Sequence, residues 1–138
     1  MARHGGLSTG GTLILDSQGL SLYLEQDRRV MALVRSALDR GANRTISGVT
    51  LVETIRRGVT PGRWNYVLSQ LDIQPMSVAW FREAADLVAT QGVRGHKYAI
   101  DAMVAITAMH QPAPVVMLTS DVDDMSRFCG HRVTTIAV

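Results

Sequence analysis

The sequence predicts an α/β fold in which a parallel sheet is covered by helices. Short runs of aliphatic and β-branched residues alternate with segments whose apolar positions recur at helical spacing. Glycine or proline stands at many of the boundaries between these segments. Such alternation is typical of parallel sheets, because two parallel strands need a long crossover connection, which is usually a helix.

The first half of the chain is predicted to contain two strands and two helices. Residues 12–15 form an apolar run of strand length, and residues 44–49 are rich in β-branched side chains. Between them, apolar side chains recur at helical spacing over residues 27–39. Thr50 is predicted to cap a further helix, which ends at Gly58.

The second half is predicted to contain four helices and two or three strands. A proline suits the start of a helix, so Pro61 favours a helix over residues 63–70. Ser77 is expected to cap a helix that ends before Gly92. The remaining elements are helices at 96–110 and 122–128, strands at 115–120 and 132–137, and a strand or loop at 71–76.

The composition fits a single globular domain. The chain has 138 residues, of which 46% are hydrophobic, so an apolar core is available. We expect a flexible glycine-rich tail at residues 1–11 and one domain at 12–138. The single cysteine, Cys129, excludes an internal disulfide framework and a cysteine-built zinc site, which fits a reducing cytoplasm.

The charge balance permits nucleic-acid binding without requiring it. The formal net charge is +2, and of the 14 basic residues all but Lys97 are arginine. Arginine suits bidentate phosphate contacts, but the codon bias of a GC-rich genome explains the same composition. No apolar run has the length of a membrane span, and none near the N-terminus has that of a signal peptide.

Four acidic residues stand at the edges of apolar runs or inside them. Asp16 and Asp121 each follow a predicted strand directly, and Glu53 and Asp101 are expected in the first turns of two helices. Ligands of open parallel sheets bind beyond the carboxyl ends of the strands, so these acids would share a cleft if their strands are neighbours. Gathered carboxylates repel each other, and a protonation shift or a divalent cation would relieve that repulsion.

Each acid also has a structural interpretation. Asp16 could cap the turn that follows it, and Asp121 could be the N-cap of the next helix. Glu53 could pair with Arg57 one helical turn further on. For Asp101 such a role is hardest to find, since its only local partner is Lys97 in an alanine-rich segment.

The acids and their flanking residues resemble those of the PIN-domain nucleases, and most closely the VapC-type toxin ribonucleases of bacterial toxin–antitoxin pairs. The resemblance covers residues 12–138. Four segments carry it in the order of the family, each with one acid: residues 13–17, 51–58, 95–105 and 118–125.

The resemblance implies a three-layer sandwich, with a central parallel sheet of four or five strands and helices on both faces. It also implies Mg²⁺ or Mn²⁺ bound by Asp16, Asp101 and Asp121, with Glu53 as ligand or water-positioning group. An oxygen-only ligand set independently favours these ions over Zn²⁺. The implied activity is metal-dependent hydrolysis of RNA phosphodiesters. The further residues implied are Asp124 as a fifth acid, and Ser17 and Thr119 as hydrogen-bonding partners.

The resemblance further implies an RNA substrate and an antitoxin protein, and a homodimer is expected. Basic side chains near the acids are candidates for RNA phosphate contacts, although a solvated helix end explains them equally well; Arg127 and His131 are less favoured. The candidates are Arg56, Arg57, Arg94, His96 and Lys97. An apolar patch for a partner could come from residues that also suit the core: Trp64, Met76, Trp80 and Phe81.

Two other classes stay open. A non-catalytic module with the same fold would keep the partner surface without cleaving RNA. A phospho-acceptor receiver domain also places acids at strand ends, but Lys97 is not at a late strand end, where that class has its lysine. A P-loop NTPase and a serine hydrolase are excluded, since neither motif is present.

Overall fold

The fold is described from a computed structural model, which covers residues 10–138. The tail predicted at residues 1–11 therefore lies almost entirely outside the described residues. Its last glycine is packed tightly: Gly11 is buried with φ of +78°, and a Cβ there would stand 2.0 Å from the carbonyl oxygen of Pro114. Only glycine fits that position.

Five parallel strands form one sheet in the order β3-β2-β1-β4-β5. The strands are β1 Thr12–Leu15, β2 Asn43–Ser47, β3 Asp72–Gln74, β4 Val115–Thr119 and β5 Thr134–Ala137. From β1 the chain builds the sheet outward to β3, and it then returns to the other side of β1. Because the direction reverses between β1 and β4, the crevice at their carboxyl ends is the expected ligand position.

Seven helices connect the strands of the described residues. They are α1 Ser17–Leu24, α2 Arg28–Asp39, α3 Gly48–Glu53, α4 Pro61–Ser69, α5 Val78–Gln91, α6 Gly95–Met109 and α7 Val122–Cys129, followed by a short 3-10 helix Gly130–Arg132. Ser77 caps α5 by accepting the Trp80 N–H, and Gly92 ends it in the left-handed conformation, as predicted.

The helix predicted from Thr50 to Gly58 is wrong at both ends. Ser47 is the N-cap instead, because its hydroxyl accepts the Val49 N–H at 3.4 Å. The helix stops at Glu53, since Thr54 is extended. The end of β2 at Ser47 sets the start of this helix, three residues before the predicted cap Thr50.

Two hydrophobic clusters lie on opposite faces of the sheet. Leu13, Leu15 and Leu118 point to the face covered by α1, α2 and α4. Ile14 and Met117 point to the other face, where they pack with α6 and α7. A third cluster joins α5 to α6. The alternation of side chains along β1 and β4 thus creates the predicted three-layer α/β sandwich.

The strand order separates this fold from the receiver domains considered above. Receiver domains are doubly wound with the order 2-1-3-4-5, whereas here β1 is central and β2 and β3 lie to one side of it. Among residues 10–138, no helix has both the length and the apolar character that crossing a bilayer requires.

Candidate functional site

Asp16 is the most constrained acid of the site. It directly follows β1, and its side chain is 5% exposed. Oδ1 accepts the Gly19 N–H at 2.9 Å, which caps α1, and Oδ2 accepts the Ser120 N–H from the end of β4 at 3.2 Å. The capping role considered from the sequence is therefore present. The same bonds orient the carboxylate and leave lone pairs for a ligand.

Close packing of α1 on β4 makes this arrangement possible. A Cβ on Gly19 would stand 2.9 Å from the Leu118 carbonyl oxygen, so a larger residue would push the helix away. Leu118 is paired with Leu15 in the parallel ladder, and its carbonyl also accepts the Asp16 N–H at 3.1 Å. The register between β1 and β4 thus brings the ends of both strands together.

Asp101 is the acid with the most perturbed titration. It lies in the second turn of α6, not in the first as expected, and is partly buried. Burial raises the pKa of Asp101 from 3.8 to about 7, and nearby negative charges add to the effect. Those charges belong, in decreasing order, to Asp121, Glu53, Asp124 and Asp16. The charges of the other four predicted acids thus all act on Asp101, although the five acids come from four separate places: the end of β1, the end of α3, the second turn of α6 and the start of α7.

Asp121 follows β4 after Ser120 and opens α7. The Asp121 side chain is exposed, yet the desolvation that remains, and then the charges of Asp16 and Asp124, raise the pKa of Asp121 above its usual value of 3.8. The N-cap interpretation holds for its backbone position only, because its side chain makes no capping hydrogen bond. The Asp121 N–H instead donates to the buried Thr119 hydroxyl at 2.9 Å, so Thr119 shapes the backbone that carries this acid.

Glu53 lies at the end of a helix and not in the first turn, where it was predicted. It is the last residue of α3, not a first-turn residue, and it is exposed. Since α3 ends there, Arg57 is not one helical turn further on, and no such ion pair forms among the described residues. Ser17, which follows Asp16 in the chain, is the first residue of α1 and is half-buried.

The acids form an electrostatic cluster but not a finished coordination cage. Across residues 10–138, no three His, Cys, Asp or Glu side chains stand close enough together to hold a metal ion. Coulomb interactions reach beyond coordination distances. The acids can therefore perturb the pKa of Asp101 without standing close enough together to coordinate one ion. Glu53 and Asp121 are exposed, whereas two backbone N–H groups hold the Asp16 carboxylate in place.

Two cationic side chains lie against the Tyr98 ring, and one of them also pairs with an acid of the site. Lys97 Nζ lies 5.2 Å from the centroid of the Tyr98 ring, one turn before Asp101. The Arg127 guanidinium lies 5.4 Å from the same centroid, and Arg127 Nη2 donates to Asp124 Oδ1 at 3.0 Å. The sequence analysis had disfavoured Arg127, and the only local signal for it is its spacing of three residues from Asp124 on one helix.

The other basic candidates stay exposed. Arg94 occupies the N-cap position of α6, and His96 follows in its first turn. Arg56 and Arg57 lie in the segment after α3, and the Arg56 guanidinium stacks over Trp64 at 4.3 Å. Their positions flank the elements that carry Glu53 and Asp101, and RNA contact by any of them stays a prediction.

The apolar residues considered for a partner surface do not form one patch. Trp64 packs with the α1, α2 and α4 cluster. Trp80 packs with α5 and α6 on the other face, and its ring stacks on His110 at 4.7 Å. Phe81 is 47% exposed and lines an apolar groove between α5 and α6.

Comparison with known proteins identifies the fold. No protein-family model and no curated protein sequence matches the chain. Among solved structures, VapBC2 from Rickettsia felis bound to a promoter DNA fragment matches with a TM-score of 0.67 and 14% identity, over 92% of this chain and 98% of that chain. A toxin–antitoxin complex from Klebsiella pneumoniae gives a TM-score of 0.65 and 19% identity, over 92% and 100%.

FitAcB from Neisseria gonorrhoeae is a further match, with a TM-score of 0.58 and 20% identity, over 91% of this chain and 96% of that chain. Identities this low establish the fold and nothing finer. The predicted sandwich is thus confirmed, and the resemblance is confirmed at the level of the fold: this chain has the PIN-like fold of chains found in VapBC and FitAB toxin–antitoxin complexes.

Proposed function

We propose that this protein is a metal-dependent endoribonuclease that hydrolyses RNA phosphodiesters. We further propose that it is the toxin of a cytoplasmic toxin–antitoxin pair. One observation carries the proposal: burial and the charges of four other carboxylates raise the pKa of Asp101 to about 7, and two of these carboxylates, Asp16 and Asp121, follow β1 and β4, where the strand order reverses. Carboxylates gathered at such a position are unfavourable unless a proton or a cation compensates them.

The donor chemistry of the site fits Mg²⁺ or Mn²⁺. All the candidate ligands are carboxylate oxygens, which these hard ions prefer, and the described site contains no thiolate that would favour zinc. Asp16, Asp101 and Asp121 would hold the ion, with Glu53 and Asp124 as further ligands or water-positioning groups. The exposed carboxylates would have to turn inward on binding, because no cage is preformed within residues 10–138.

Asp16 and Asp101 have different roles in the proposed reaction. A bound divalent cation would supply Lewis-acid activation of water and would neutralise charge developing on the phosphodiester. Asp16 stays oriented by the Gly19 and Ser120 N–H groups. Asp101 carries a proton below about pH 7 and would release it when the cation binds, since a cation favours the ionised carboxylate.

RNA binding is assigned to a basic rim, which consists of Arg56, Arg57, Arg94, His96 and Lys97. A phosphate backbone is repelled by the acids, so Lys97, Arg94 and His96 at the start of α6 would contact it first. Arg56 and Arg57 would act from the segment after α3. The solved complexes named above contain antitoxins, and this supports an antitoxin partner for the present chain. The homodimer stays a prediction, to be tested by sedimentation.

The central experiment is cleavage of a single-stranded RNA by the purified protein with Mn²⁺, with EDTA, and in the Asp101→Asn variant. We expect cleavage only in the first case. Asp86→Asn is the matched control, because Asp86 is an exposed acid within α5. Cleavage that survives EDTA contradicts the metal-dependent scheme. Binding of RNA without cleavage under all conditions would support the non-catalytic module instead.

Metal binding can be tested without any substrate. Mn²⁺ should raise the melting temperature of the wild type more at pH 8 than at pH 6, because the proton on Asp101 competes with the ion. Asp101→Asn should lose most of this response. An equal Mn²⁺ effect at both pH values would separate Asp101 from the metal site.

A further inference from the structure

We propose that Arg127 is a positioning residue that exchanges partners when RNA enters the site. In the free protein it pairs with Asp124. With RNA present its guanidinium would move to a substrate phosphate and release Asp124 toward the other acids. The inference rests on the proposed nuclease function and identifies a residue that the sequence analysis had disfavoured.

The first support is the position of the ion pair between Arg127 and Asp124. Arg127 and Asp124 lie one turn apart on α7, joined at 3.0 Å. Asp124 lines one pocket together with Ser120 and Asp121 at the start of α7, so this carboxylate lies beside an acid of the site. The pair thus sits at the border between the acids and the basic rim, and Arg127 holds a candidate ligand in place.

The second support is that cations from two helices contact the same aromatic ring. Lys97 Nζ from α6 and the Arg127 guanidinium from α7 lie 5.2 Å and 5.4 Å from the centroid of the Tyr98 ring. Within residues 10–138, Arg127 is in an ion pair and Lys97 is not. Cations from α6 and α7 at one ring create a positive surface there, which favours a bound anion. A phosphate has the charge and the oxygens that both side chains bind.

The third support is that the exchange requires only side-chain motion. Side-chain exposures of 42% for Arg127 and 32% for Asp124 leave the ion pair in contact with solvent, which screens it. The backbone stays in place, since the Arg127 carbonyl accepts from Gln91 Nε2 of α5 at 3.4 Å and the next residue, Phe128, is buried. Phosphate can therefore compete for the guanidinium without unfolding α7.

Two binding measurements on Arg127→Ala test the proposal, and they should change in opposite directions. Fluorescence anisotropy with a labelled single-stranded RNA in EDTA should show weaker binding, with the slope of log K against log salt reduced by about 0.7 for one lost phosphate contact. Calorimetry with Mn²⁺ alone should show binding tighter by about 1.5- to 5-fold, the range of an exposed ion pair.

Two further variants serve as controls. Arg127→Lys keeps the charge without the planar fork and should give intermediate RNA affinity. Arg40→Ala removes an equal charge from the C-cap of α2, where Arg40 contacts Ser36, and should leave both measurements unchanged. If Arg127→Ala weakens both Mn²⁺ and RNA binding, Arg127 has a merely structural role and the exchange is wrong.

The outcomes also separate this inference from the proposed function. If the wild type cleaves RNA with Mn²⁺ and Arg127→Ala matches it in both binding measurements, only the exchange is wrong. If the wild type neither binds nor cleaves RNA, both proposals are overturned. A wild type that cleaves RNA, with opposite shifts in the variant, supports both.

Discussion

Replacing Asp101 with asparagine should stabilise the metal-free protein at pH 8 while abolishing RNA cleavage. The pKa of Asp101 is raised above its unfolded value of 3.8 to about 7, so the folded state binds this proton more tightly than the unfolded state. Stability from this group is therefore complete below about pH 4 and is lost as the pH rises toward 7. Asparagine mimics the protonated carboxyl group and removes that loss.

The size of the effect follows from the shift. A change from 3.8 to about 7 corresponds to about 4 kcal/mol at 1.36 kcal/mol per unit. Asp101 is only partly buried, so solvent screening reduces the expected gain in unfolding free energy to about 1–2 kcal/mol. In a domain of this size that gain raises the melting temperature by about 3–8 °C.

The assay is thermal unfolding of wild type and Asp101→Asn from pH 4 to pH 9 in EDTA. The difference between the two proteins should be near zero at pH 4, grow between pH 4 and 7, and stay constant above that. Asp86→Asn, on the exposed surface of α5, should show no such pH-dependent gain. A destabilised Asp101→Asn at pH 8, or a constant difference at every pH, would refute the assigned electrostatics.

Three further variants or reagents test other parts of the structure. Asp16→Ala should cost about 1–2 kcal/mol in urea unfolding, because α1 loses its cap and the Ser120 N–H loses its acceptor; unchanged stability would contradict this role. Gly19→Ala should cost about 1–3 kcal/mol despite its better helix propensity, since its Cβ would meet the Leu118 carbonyl, and a stabilised variant would show that α1 can move away. Cys129 is buried, and burial raises its pKa to about 11, so a thiol reagent should modify it at pH 8 only after unfolding; rapid labelling of the native protein would argue otherwise.

Local signals were sufficient for most elements of the fold. The helix α5 was predicted at both ends because Ser77 and Gly92 act through their immediate neighbours. The strands β1 and β4 were predicted because both are short, apolar runs. The helix α3 was predicted with wrong ends, because its start depends on where β2 ends and not on helix-forming residues.

The site was predictable in part. Asp16 and Asp121 were expected at the carboxyl ends of strands, and parallel strands bring such residues to one edge. The sequence did not predict that Glu53 ends a helix or that Asp101 lies in a second turn. It also did not predict that Lys97 and Arg127 contact the same Tyr98 ring, since these cations come from different helices.

The sequence by itself determined the types and order of the elements and the positions of the acids along the chain, because periodicity, caps and turn residues act over a few neighbours. Only the tertiary structure decided that β1 and β4 are adjacent, and that the Ser120 N–H orients Asp16 across 104 residues. It also decided how strongly the acids perturb each other. Burial and Coulomb interactions depend on distance through space, and one-dimensional spacing does not specify that distance.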